Sequence, residues 1–312
     1  MKKTFKAAFT MAEILISLTI IGVIAAITLP SLSGNMNERL LNTRRIALYS
    51  RLSQAFGLID SISDVGKYDA SGNLISNWED TAALTFVTNK LTQGMKITNT
   101  CKSDAIKSCG FADVLTKADG ASFSLPATFK ALVNNNNLST LETKPAAFIT
   151  KNGESIVLYY NPDCMTKTGS ANSYMNFVCI NLIYDLNGIK GPNIMGKDLG
   201  VATVLYSSAS DFVMPILSGV MGTAEAPDAA VACSESGNTL TTLEEMISVA
   251  VNNKLIYSTP LTGKYHTSTL VTVNTALGTG TSDWLVNVGE DSLTLGTNLR
   301  DEKYLCLKKM VD

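Results

Sequence analysis

One continuous apolar stretch near the amino terminus constrains this chain more than any other feature. From Phe9 to Leu29 the only charged residue is Glu13. As a helix this stretch is about 31 Å long, which matches a bilayer hydrocarbon core of roughly 30 Å. Lys2, Lys3 and Lys6 precede it and carry the positive charge that stays on the cytoplasmic side. The stretch therefore predicts a single-pass helix with its amino terminus in the cytoplasm and the rest of the chain exported.

Two simpler explanations of this segment stay open. A secretory signal peptide has an apolar core of roughly 7–15 residues. The stretch here is longer and contains a carboxylate, although Ser31-Leu32-Ser33 could serve as a cleavage site. A plain membrane anchor explains the length and orientation but not Glu13, because a charged side chain within a membrane helix costs free energy and usually has a partner. Glu13 therefore calls for a functional explanation.

The segment from Ala8 to Pro30 resembles the class III signal of type IV pilins and type II secretion pseudopilins. The resemblance lies in the spacing of Ala8, Phe9, Glu13 and Pro30, and it covers less than a tenth of the 312 residues. It implies that a prepilin peptidase cuts between Ala8 and Phe9 and that the new amine of Phe9 is N-methylated. It also implies that Glu13 pairs with the Phe9 amine of a neighbouring subunit during assembly. The family usually has Gly before the cut, so Ala8 predicts slower cleavage.

Proline and helical periodicity define the organisation that follows. Pro30 lacks a backbone donor and should kink or interrupt the helix. Beyond it, an apolar stripe predicts that the helix continues and packs on a globular head; the stripe consists of Leu41, Leu48, Leu52, Ala55 and Ile59. We divide the chain into a leader (1–8), a transmembrane and assembly helix (9–29), its amphipathic continuation (30–60) and an extracytoplasmic head (61–312), with a subdivision near 207 left open.

Strand patterns in the head complete the predicted fold. Residues 148–157 predict a hairpin with a type I′ turn at Asn152-Gly153, and strands near 176–184 and 200–206 extend it into an antiparallel meander. Helices are predicted over 79–91 and 242–253, and strands over 268–275 and 284–295. The Gly-Thr-Gly-Thr run at 278–281 is interpreted as a flexible loop. The predicted fold class is α+β and pilin-like: a long helix, half transmembrane and half amphipathic, packed on an antiparallel sheet.

Six cysteines suggest disulfides in an exported chain. They are Cys101, Cys109, Cys164, Cys179, Cys233 and Cys306. Six cysteines allow fifteen connectivities. Proximity in sequence favours Cys101–Cys109 and Cys164–Cys179, which leaves Cys233–Cys306. The alternative is a set of buried, reduced cysteines.

The loop from Asp185 to Asp198 is the segment with the most chemical potential. Oxygen-bearing side chains at Asp185, Asn187 and Asp198 are of the type that calcium requires. The loop fails the helix-loop-helix calcium pattern, because Lys190 stands where that pattern has Gly and Gly196 stands where it has Glu. The alternative is a connection between strands in which glycines form turns and Asp caps backbone donors. Apart from this calcium hypothesis, we expect no cofactor.

Charge and composition restrict the function. The net charge is -2 and the pI about 5.6, so nucleic-acid binding is not expected. The chain has a single histidine, His266, and no recognisable nucleophile motif, which argues against an enzyme and against the alternative of an anchored hydrolase. The expected function is a structural subunit, a pseudopilin or minor pilin, of a type II secretion or type IV pilus filament in bacteria. Another alternative is a membrane-anchored extracytoplasmic binding or adhesion module.

The resemblance also implies partners and a location. The expected partners are other pilin or pseudopilin subunits, the prepilin peptidase and methylase, an inner-membrane assembly platform and membrane lipid. The expected location is the inner membrane, with a single pass and an extracytoplasmic head, followed by the filament after assembly.

Overall fold

The computed structural model describes residues 11–133, 142–162, 164, 178–206, 211–275, 278–288, 293–297 and 302–308. The leader, Ala8 and Phe9 lie outside these residues. The chain forms two compact units, Met1–Arg45 and Ile46–Asp312.

The first element is the helix α1, Met11–Gly57. It is continuous through Pro30, so the helix is not interrupted there; the predicted kink stays a prediction. A proline removes one intrahelical hydrogen bond, and the bonds on either side hold the helix across it. In the second unit, Leu48, Leu52 and Ala55 of α1 are fully buried, which confirms this part of the predicted apolar stripe.

Short helices account for the remaining helical structure of the head. They are α2 (Trp78–Phe86), which runs on into a π-helical turn (Val87–Leu91) and α3 (Thr92–Gly94), then a 3₁₀ segment (Ser103–Cys109), α4 (Phe129–Val133), α5 (Ala226–Glu235), α6 (Leu243–Val251) and α7 (Asn253–Ile256). The start of α6 is fixed by a capping box, in which Thr242 accepts from the Glu245 amide and Glu245 accepts from the Thr242 amide. The helix predicted over 242–253 is therefore confirmed.

The first sheet contains six strands, and all its pairings are antiparallel. In spatial order the strands are β1 (Ile97–Cys101), β4 (Ala146–Thr150), β5 (Ser155–Tyr160), β6 (Val178–Asp185), β7 (Leu199–Leu205) and β8 (Asp211–Val213). The β4–β5 hairpin is the one predicted, but its turn is different. The Gly153 amide donates to the carbonyl of Thr150, and Gly153 has a φ of 87° whereas Asn152 has no positive φ. A type I′ turn needs a positive φ at both central residues, so that turn type is wrong.

Both faces of the first sheet are covered, which is why β5, β6 and β7 are buried along their whole length. On one face the ring of Phe86 stacks on Tyr160 with centroids 5.0 Å apart. On the other face Val157 and Ile183 share a core with Met246 of α6 and with residues of the second sheet. Strands buried on both faces give continuous apolar runs rather than an alternating pattern.

A second six-stranded sheet follows in the chain. Its path is β10 (Asn238–Leu240), β14 (Glu302–Lys308), β11 (Gly263–Thr275), β12 (Gly278–Val288) and β13 (Leu293–Thr297), and β9 (Leu217–Ala224) also pairs with β14. The β11–β14 pair is parallel, whereas the others are antiparallel. The run 278–281 belongs to β12, so its interpretation as a flexible loop is wrong. A small antiparallel pair, β2 (Leu115–Thr116) and β3 (Ser122–Phe123), stands apart.

These observations correct the predicted fold class. The protein has a mixed α/β fold with several sheets, not one antiparallel sheet beneath a half-transmembrane helix. Among the described residues, no helix is both long enough and apolar enough to cross a membrane. The prediction placed an antiparallel meander over the strands up to residue 206 and left the arrangement of 207–312 open, because a strand whose partner lies far along the chain has no local signature. The pairing of β14 with β9 and β11 joins segments that local patterns do not connect.

Candidate functional site

The segment Met11–Ile24 of α1, which we call the apolar segment, is the first candidate site. Every side chain in it is exposed. Its large apolar side chains are between 46% and 79% accessible. They are Met11, Ile14, Leu15, Ile16, Leu18, Ile20, Ile21, Val23 and Ile24. Because these positions cover every direction around a helix, the segment exposes apolar surface on all sides rather than a single stripe.

Such a surface requires apolar surroundings. Soluble monomers rarely expose large contiguous apolar patches, and patches of this kind mark sites for lipid or for another protein. Glu13, the predicted assembly residue, lies within the apolar segment and is exposed. Its carboxylate is the one charged group in this stretch, so it is the group best placed to select a partner by charge.

The loop between β6 and β7 is the second candidate site. Asp185 ends β6, and Asp198 immediately precedes β7; both are fully buried. Asp185 Oδ1 accepts from the Asn187 amide at 3.0 Å. The two oxygens of Asp198 accept from the amides of Asn193 and Ile194, each at 2.8 Å. The carboxylates therefore hold the turns of the loop through its backbone.

The electrostatics of the loop disfavour two negative charges. Burial first, and the negative charge of Asp198 to a smaller extent, raise the pKa of Asp185 to about 7, although hydrogen bonds from the backbone amides of Asn187 and Gly188 lower it. The side chain of Asn193, once its amide is oriented to satisfy its neighbours, donates to Asp185 Oδ2 at 3.1 Å and to the Gly188 carbonyl at 3.2 Å. Asp185 is thus stabilised by neutral donors.

The three predicted calcium ligands lie in one loop, but their side chains form hydrogen bonds with the backbone of that loop. Both oxygens of Asp198 are used by backbone amides, and Asn187 donates to the Gly191 carbonyl at 3.1 Å. In the described part of the chain, no three His, Cys, Asp or Glu side chains are grouped to hold a metal ion. The arrangement favours the turn-capping explanation, and calcium binding stays a prediction.

The predicted disulfides are confirmed. Cys101 bonds to Cys109, Cys164 to Cys179 and Cys233 to Cys306. The first joins β1 to the end of the 3₁₀ segment, and the third joins α5 to β14. Disulfides persist in oxidising compartments, so the pairing agrees with an exported head.

Sequence patterns missed an ion pair between α1 and the first sheet. Arg51 Nη2 lies 2.6 Å from Glu154 Oε1, and the Glu154 side chain is only 3% exposed. Glu154 also accepts from the hydroxyl of Thr150. The two partners are 103 residues apart in sequence. A lone Glu at the start of a buried strand was the only local signal.

Comparison with protein-family models, with curated proteins and with solved structures finds no match for this chain.

Proposed function

We propose that this chain is a structural subunit, a pseudopilin or minor pilin, of a type II secretion or type IV pilus filament. Prepilin peptidase cuts it after Ala8, and the mature chain begins with an N-methylated Phe9. The mature subunit then joins a filament through its amino-terminal helix and performs no catalysis of its own.

The observation that carries the proposal is the exposed apolar surface around Glu13. The apolar segment would be covered by lipid before assembly and by the helices of neighbouring subunits afterwards. A carboxylate moving into such surroundings needs a cation to remain charged. The free amine created at Phe9 by cleavage supplies one on the next subunit, and pairing with it fixes the stagger between subunits.

The same proposal specifies location and partners. The precursor is held in the inner membrane with Lys2, Lys3 and Lys6 in the cytoplasm, and its head is extracytoplasmic. Three disulfides in the head support this location, because cytosolic proteins rarely keep structural disulfides. The partners are the peptidase-methylase, the inner-membrane assembly platform and other subunits.

Substitution of Glu13 tests the proposal. We expect Glu13→Gln to leave cleavage at Ala8 intact but to exclude the chain from filaments, because the amide keeps the shape and removes the charge. Thr19→Ala is a matched control, since Thr19 is in the same segment and its hydroxyl donates to the Leu15 carbonyl of the same helix, at 2.8 Å. The measurement is the share of cleaved chain that co-purifies with sheared filaments from cells carrying the assembly machine. Equal incorporation of the Gln variant and the wild type would contradict the pairing role.

A further inference from the structure

The hairpin of β11 and β12 extends beyond the second sheet. Its inner half is flanked on both sides, because β14 pairs with β11 at Tyr265 and His266 and β13 pairs with β12 from Trp284 to Val288. Its outer half pairs residues 271–275 with 278–282. We call this outer half the arm. Among the described strands, none pairs with either outer edge of the arm.

A break in register separates the arm from the sheet. The β11–β12 pairing shifts between His266 and Leu270. Irregularities of this kind bend a strand and increase its twist, so the arm need not follow the sheet below it. A two-stranded ribbon is at best marginally stable in water, because half of its backbone hydrogen-bonding groups lack strand partners. The arm therefore gains stability from any strand that pairs with an edge.

The sequence of the arm lacks the residues that prevent strand pairing. From Leu270 to Ser282 it contains neither a charged residue nor a proline, and it is rich in Thr and Val. Natural edge strands are usually protected from pairing with other strands by charged residues, especially lysine, or by proline. The edge strand β1 shows the usual protection, since Lys96 and Lys102 flank it. The arm thus differs from another edge of the same molecule.

We propose that the arm is an interaction surface at which two copies of this chain pair by antiparallel strand addition. Exposed strand edges accept another strand through main-chain hydrogen bonds. A second copy fits because identical uncharged edges meet without repulsion and a two-fold axis presents the same patch from both chains. This pairing is a contact of the head and goes beyond the proposed helix-mediated assembly, because it requires neither cleavage at Ala8 nor Glu13.

Photo-crosslinking of the full, uncleaved chain in detergent tests the inference. A benzoylphenylalanine replaces Thr279 in the arm; the matched control replaces Thr98, an exposed threonine of the protected edge strand β1. We expect dimers from the Thr279 probe that map to residues 271–282 of the second copy, and none from the Thr98 probe. Crosslinks from Thr279 only within its own chain, or only to another region or another protein, would overturn the inference.

Added charge should weaken the pairing. We expect Thr281→Lys with Ser282→Lys to lower the dimer yield roughly tenfold, equivalent to about 1.4 kcal/mol. If that variant fails to fold, a shortened hairpin that closes with Asn-Gly between Val271 and Ser282 takes its place and should give the same loss. An unchanged dimer yield in a folded variant of either kind would contradict the inference. Cleavage at Ala8, measured on the same variants, should be normal, so failure here is distinct from failure of the proposed function.

Discussion

At the scale of single residues, Gly94 shows how closely the backbones approach in the head. A Cβ at this position would lie 2.6 Å from Cα and 3.0 Å from Cβ of Ala55 in α1. Both of those atoms belong to a buried part of the helix, so neither can move aside as a flexible side chain would. The φ of Gly94 is not in the left-handed region, so the backbone conformation does not require glycine. Glycine is required because there is no room for a Cβ.

We expect Gly94→Ala to lower the free energy of unfolding by about 1–3 kcal/mol, since the added methyl forces α3 and α1 apart. Gly57→Ala is the matched control, because a Cβ there meets nothing within 4 Å. The control should be neutral or should gain up to about 1 kcal/mol in helix propensity. Chemical denaturation of the full chain measures both, and equal stability of the two variants would refute the proposed contact.

Glu245 gives a prediction with a pH dependence. Burial is the main cause that raises its pKa above the ordinary 4.5, and hydrogen bonds from Thr242 oppose the shift. Because folding raises the pKa of this carboxyl, the folded protein loses stability as the pH rises above the pKa that the group has in the unfolded chain. Glu245→Gln removes that loss and keeps an oxygen for the Thr242 amide.

We therefore expect the melting temperature of the Glu245→Gln variant, relative to wild type, to increase between pH 4 and pH 7. Glu244→Gln removes a charge from the same turn but leaves the capping carboxylate, and it should show a smaller change. Melting by circular dichroism across this range checks the sign. A wild type that gains stability over the Gln variant with rising pH would contradict the argument.

At the scale of elements, the ion pair between Arg51 and Glu154 joins the last turns of α1 to the β4–β5 hairpin. The Arg51 side chain is 30% exposed, whereas the Glu154 side chain is 3% exposed. The pair therefore places a nearly buried carboxylate against a cation that still contacts water. The ion pair as a whole contributes little to the free energy of folding, but the loss of one partner leaves a buried charge without a counterion.

Removal of Arg51 alone should destabilise the fold more than replacement of both members of the pair. We expect Arg51→Met to cost about 3 kcal/mol, because Glu154 is then buried without its cation. The double variant Arg51→Met with Glu154→Gln should recover most of that loss. A double-mutant cycle of unfolding free energies measures the coupling, and additive effects would show that the pair does not act as a unit.

Local elements could be predicted wherever one stretch of sequence determines them. The stripe of Leu48, Leu52 and Ala55, the hairpin at 148–157 and the capping box at Thr242 all depend on neighbours within a few residues. The turn type at Asn152-Gly153 and the strand over 278–281 could not be predicted, because cross-strand pairing overrides the preference of glycine for loops.

The candidate sites divide in the same way. Glu13 could be identified from the sequence alone, because it is the only charged residue in an apolar run. Asp185 and Asp198 were identified from their residue types, but their role depends on which amides the fold places beside them. The pairing of Arg51 with Glu154 could not be predicted, because the two residues are remote in sequence.

At the scale of the whole molecule, three disulfides close loops of very different length in the head. The Cys233–Cys306 disulfide spans 73 residues, whereas Cys101–Cys109 spans 8. In the chain-entropy model a longer closed loop removes more freedom from the unfolded chain. The disulfide between α5 and β14 should therefore contribute most to stability.

We expect replacement of both Cys233 and Cys306 by Ala to cost about 4 kcal/mol, against about 2.5 kcal/mol for Cys101 and Cys109. Unfolding of the oxidised variants in guanidinium measures the two losses. The reverse order would show that strain or residual structure, rather than loop length, determines the effect.

The central claim is that the chain is a processed filament subunit, and the amino terminus of the mature protein tests it most directly. The chain is expressed with and without an active prepilin peptidase, and its terminus is determined by Edman degradation and intact mass. The account predicts N-methylated Phe9 with the peptidase and Met1 without it. Met1 retained beside an active peptidase, or a terminus beyond Pro30, would contradict the account.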